Sequence, residues 1–227
     1  MSSVDRLETG AAILAAAKVV DTDLVKPRLA AFASVQRSYT EAQRQVDAAE
    51  ALLKEGQIRL ARRDAEQDEA VEGLARALVS SGQPRANPFA AFGAAAPSGV
   101  KQLIPAVEAK AIRQLVAAVQ RHKPLNKATS QAAQAAEQAA RQVEAAQLAV
   151  DKREEALSHA RHARDDVGET WETALAALKR GARAAADDGA PGLYTALLGG
   201  QRRSTRKTSK PSPAPAPTPA PAAATVT

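Results

Sequence analysis

Every seventh residue from Phe32 onward reads Phe32, Tyr39, Val46, Leu53, Leu60, Gln67, Leu74, and six of these seven are large and apolar. A recurrence held over six heptads is the period of a helix that lays one stripe against a partner under left-handed supercoiling. The column passes through Gly56 without a shift, so that glycine weakens the helix but is not expected to end it. A second column reads Ala136, Val143, Val150, Leu157, Arg164, Trp171, Leu178. Beside each lies a column of mostly small residues, including Ala42, Ala49 and Gly56 in the first and Ala139, Ala146 and Ala160 in the second. A large column next to a small one lets two helices approach closely, and these columns are the expected packing seam.

Little else in the chain can build a core. Hydrophobic residues make up 45% of the 227, but 56 of them are alanine and aromatics are only 3%. So little bulk argues against a β-sandwich or a large α/β barrel, and alanine favours helix over strand. Cysteine is absent, which excludes disulfides, thiolate zinc sites and cysteine nucleophiles.

One unit is read twice. Lys26-Pro27 and Lys123-Pro124 lie 97 residues apart, and the same offset aligns the run Arg44-Gln45-Val46-Asp47-Ala48-Ala49 with Arg141-Gln142-Val143-Glu144-Ala145-Ala146. Each unit places a short helical segment (Val4–Val20, Lys101–Arg121) before a proline-containing break. A long helix follows, Pro27–Ser80 or Pro124–Arg183, and then a Pro/Gly-rich loop with a small apolar cluster, 87–93 or 191–199. Asp21 or Asp23 is the expected N-cap of the first long helix, with Pro27 in its first turn, where a missing N–H costs little. The expected fold is therefore all-α: an elongated antiparallel helical bundle or coiled coil made of two tandem pseudo-repeats, residues 1–97 and 98–200. A helix over 27–80 would be about 80 Å long and cannot bury its stripe alone.

The formal charge of +6 sits in the tail. Arg202, Arg203, Arg206, Lys207 and Lys210 carry five positive charges with no acid among or after them, which leaves the other residues at about +1. Residues 211–221 hold six prolines among Ser, Ala and Thr. Such a segment cannot pack and is expected to be a disordered, partly polyproline tail, 201–227. Asp5 and Glu8 stand where a cationic export signal would begin, and no apolar stretch is long enough to cross a membrane as a helix, so a cytoplasmic location is expected.

One group resembles metal ligands: Glu155, His159, His162 and Asp166, near one face of a helix. The corresponding positions of the first unit are Ile58, Arg62, Ala65 and Glu69, the Glu-x-x-His pairs of di-iron bundles are missing, and the surroundings are densely charged. Surface histidines are the simpler reading, so neither metal nor cofactor is assigned. No phosphate-binding glycine loop, nucleophile elbow or nucleophile–base pair is present, and no enzymatic activity is expected.

The chain thus reads as a structural or scaffold protein acting through contacts with a protein partner or with itself. Two alternatives stand beside this. The basic tail residues can meet nucleic-acid phosphates or another anionic surface. And the layout of an Ala-rich amphipathic helical body before a basic Pro/Ala tail is similar to phasins, which implies a coat on a hydrophobic granule. If the tail is a nucleic-acid anchor, deleting residues 201–227 abolishes retention on DNA at low salt; retention that survives the deletion removes that alternative.

Overall fold

The computed structural model describes residues 1–122 and 124–199. The described residues hold helices and turns and no strand: α1 (Ser3–Ala16), α2 (Lys26–Ser80), α3 (Pro97–Val100), α4 (Pro105–Arg121), α5 (Lys127–Ala184) and α6 (Leu193–Leu198), with 3-10 turns at Asp23–Val25 and Ala90–Phe92. The protein is all-α, and none of these helices is long and apolar enough to cross a membrane. The disorder expected for 201–227 lies outside the described residues.

Helix boundaries follow local chemistry. Ser2 and Asp5 form a reciprocal capping box that starts α1, and the bond from Ser2 holds the Asp5 carboxyl below its usual range. The helix stops at Ala16, short of the Val20 expected from sequence. Asp21 accepts the Asp23 N–H at 3.0 Å, and the 3-10 turn it braces runs directly into α2. The aspartate therefore caps the turn rather than the long helix. Gly56 does not interrupt α2, which continues for 55 residues.

The second half departs from the expected pattern in two places. The segment 101–121 is not one helix: Pro105 opens α4, and Ile104 before it is extended at ψ 147°, because a residue that precedes proline is kept out of the helical region. The second long helix begins at Lys127 rather than Pro124, because Asn126 accepts the Thr129 N–H at 2.7 Å and sets the N-terminus there.

The described residues group into two compact units, one of residues 30–177 and one of 1–29 with 178–199. In the first, α2 and α5 run antiparallel. Gln36 meets Trp171, Glu50 meets Arg161, Gly56 meets Arg153, Arg63 meets Gln142 and Ser81 meets Thr129, so partner numbers add to nearly the same total throughout. Phe32, Tyr39, Val46, Leu74, Val143, Val150 and Trp171 are buried in this unit, as is Leu157, while Leu53 and Leu60 are half-buried. The Trp171 ring lies 5.6 Å from Phe32 and 6.4 Å from Tyr39, and its Nε1–H donates to Gln36 Oε1 at 2.6 Å.

Elsewhere in this unit α5 offers Ala133, Ala136 and Ala140 before Val143, and the space the alanines leave is filled by Ile112, Leu115, Val116 and Val119 of α4 and by Phe89. Asn87 holds the loop that delivers Phe89, accepting its N–H at 3.0 Å and donating to the Ala94 carbonyl at 3.3 Å, and Gly93 closes the turn at φ 73°. In the other unit, α6 packs on α1, and Leu193, Leu197 and Leu198 are buried with Ile13, Val25, Leu178 and Ala182.

Trp171→Phe should leave Gln36 buried without its donor, at a cost of about 1–3 kcal/mol. Adding Gln36→Leu should recover part of that loss. A double-mutant cycle in urea that returns no coupling between the two positions removes this hydrogen bond from the account of stability.

Candidate functional site

The first seven residues of α4 place a carboxylate where the helix meets the core. Glu108 is in phase with Ile112, Leu115 and Val119, all buried, and is itself only 2% exposed. Gln67 of α2, the polar member of the heptad column, is 0% exposed. Gln67 Nε2 and Oε1, Glu108 Oε1, Asp64 Oδ1 and Asp68 Oδ1 are buried atoms without a hydrogen bond of normal geometry.

The electrostatics follow from that enclosure. Burial, with the charges of Asp68 and Asp64 added to it, pushes the Glu108 carboxyl up to about 7, while the Gln67 amide and the Lys101 ammonium pull weakly the other way. Burial and Asp68 also raise Asp64. Lys101 is bound to Glu72 at 2.7 Å, which draws the Glu72 carboxyl below its ordinary range. Arg113 on α4 bonds Glu144 of α5 at 3.0 Å. Sequence reasoning treats an acid in a charged helix as solvated and so passes over Glu108. Its phase with the apolar face of α4 is the signal that could have found it.

The outer side of α4 and the loop before α3 form an open groove of about 500 Å³, lined by Phe92, Ala94, Val100, Leu103, Leu115 and Ala118 with Arg121 beside them. Phe92 stacks edge-on against His122 at 5.2 Å. Near the start of α4, Leu103, Ile104 and Val107 are 40%, 68% and 47% exposed, three large apolar side chains within five positions.

The other sequence candidates are placed as follows. Phe32, Tyr39, Val46, Leu74, Val143, Val150, Leu157, Trp171 and Leu178 are buried, and Leu53 and Leu60 half-buried. Glu155, His159, His162 and Asp166 are all exposed. His159 Nε2 lies 3.8 Å from Glu155 Oε1, and among the described residues no three such side chains converge as metal ligands do. Arg202, Arg203, Arg206, Lys207 and Lys210 lie outside the described residues.

His159→Ala and His162→Ala are each expected to change the unfolding free energy by less than about 0.5 kcal/mol, and added zinc to leave the melting temperature unchanged. A zinc-dependent rise that both substitutions abolish would reinstate the quartet as a metal site. Compared with protein-family descriptions, with curated proteins and with solved structures, the chain finds no match.

Proposed function

We propose that the chain is a non-enzymatic structural protein that acts through protein–protein contacts, built from two tandem copies of one helical unit joined as an antiparallel coiled coil. Support for the tandem reading comes from Gly56, whose missing side chain leaves room for Arg153: a Cβ there would stand 2.6 Å from the guanidinium. These two residues are the same position of the two copies, offset by 97. A position meets its own counterpart when the copies are related by a two-fold axis. The closing segments follow the same exchange. The turn Ala90–Phe92 of the first copy packs on α4 of the second, and α6 of the second packs on α1 of the first.

The observation that carries the binding reading is the groove along α4, lined by Phe92, Val100, Leu103 and Leu115 together with Gln114 and Arg121, with Leu103, Ile104 and Val107 exposed near the start of the helix. Exposed apolar residues gathered in one place mark contact surfaces, whereas scattered ones do not. The groove suits a short apolar segment of a protein partner, with an acidic group meeting Arg121. The seam columns, by contrast, are spent on internal packing, which favours this reading over a granule coat.

A photo-crosslinking amino acid placed at Leu103 or Ala118, in cells that make the protein, should give a discrete protein adduct that is missing when the same probe replaces exposed Leu148. Adducts of equal yield at all three positions, or none at Leu103 and Ala118, would overturn the proposal.

A further inference from the structure

We propose that α4 is docked through a proton: the buried Glu108 carboxyl, set against Gln67, Asp64 and Asp68 of α2, holds the helix in place when neutral and loosens it when ionised.

The hydrogen-bond inventory supports this. Among the buried unpartnered atoms of Gln67, Glu108, Asp64 and Asp68, four are acceptors and one, Gln67 Nε2, is a donor. A site so short of donors is relieved by a proton. The neutral acid brings an O–H that Gln67 Oε1 or an aspartate oxygen can accept, and it removes one of the like charges crowding the site. The ionised acid brings neither, and an anion kept from water with only the weak pull of the Gln67 amide and Lys101 to offset it is costly. The charged groups around Glu108 are few. Asp64 and Asp68 face it from α2, and Lys101 acts on it from the end of α3 but is engaged by Glu72. No cation is left over to neutralise the carboxylate within this group.

The rest of the α4 interface is made by Ala109, Ile112, Leu115, Val116 and Val119, whose burial does not depend on pH. The carboxyl is thus the element that modulates an otherwise constant attachment. Undocked, Glu108 returns to its ordinary value of 4.5; docked, it titrates at about 7. The docked state therefore binds the proton more tightly. Docking is strongest below about 4.5, weakens by about tenfold per pH unit up to about 7, and is constant above that. Asp64, also raised, acts in the same direction. The Glu72–Lys101 pair acts in the opposite direction, but only as pH falls below the ordinary value of Glu72, 4.5. Between about pH 5 and 7, acidification tightens α4.

Docking of α4 through Glu108 requires no partner protein. Amide hydrogen exchange on the full chain at pH 5.5 and 7.5, corrected for intrinsic rates, tests it. Protection of α4 should fall at least about tenfold at the higher pH, while protection around Phe32 and Tyr39 changes far less. Glu108→Gln, which cannot ionise, should hold α4 protection level across the range. Asp68→Asn, which removes a like charge, should move the transition to lower pH. Equal protection of wild-type α4 at both pH values overturns the proposal. So does a fall in Glu108→Gln as large as that in wild type, or a fall of the same size around Phe32 and Tyr39.

Discussion

Two antiparallel helices bury one stripe each and no more, and the stripes of α2 and α5 are poor in bulk. The consequences of that shortage account for much of the packing in residues 30–177. Where α5 supplies Trp171, the aromatic rings of Phe32 and Tyr39 meet it and the helix pair fills its own interior. Where α5 supplies Ala133, Ala136 and Ala140, the pair leaves a hollow, and a third helix with Phe89 is drawn in to fill it. Close-packed interiors do not tolerate such gaps. The small residues of the second long helix thus determine where α4 must lie.

The seam itself was legible in the sequence because it obeys a single period. Phe32, Tyr39, Val46 and Leu74 in α2, with Val143, Val150 and Trp171 in α5, were identifiable from spacing alone, and all are buried. Residues outside that period were read less well. Pro105 inside an apolar run is a stop signal stronger than the run, and it divides a segment that spacing joins. Asn126 fixes the start of α5 through a single side-chain bond, which periodicity does not register. Glu108 illustrates a third kind of failure. Its identity points to solvent and its phase points to the core, and composition-based reasoning follows identity.

Polar groups in the seam differ in how they are treated. Gln36 has a dedicated donor in Trp171 and is fully consistent with the stripe around it. Gln67, further along α2 and in the column of Phe32, has no such donor, and its neighbours are acids. Both are enclosed, yet one contributes a directional bond and the other leaves demand unmet. A satisfied polar group fixes which faces meet, whereas an unsatisfied one makes the local arrangement responsive to conditions. Two buried glutamines of α2 therefore serve different purposes.

Because α2 and α5 meet at nearly the same total of residue numbers from Gln36 to Ser81, neither helix can change length by itself within that stretch. Seven residues added to α2 alone would advance its stripe by about 10 Å, carrying every later side chain past its socket and displacing Arg153 from the space beside Gly56. Insertions and deletions in these helices are thus restricted to compensating pairs, one in each strand of the hairpin, and the more permissive places for length variation are the turns between them.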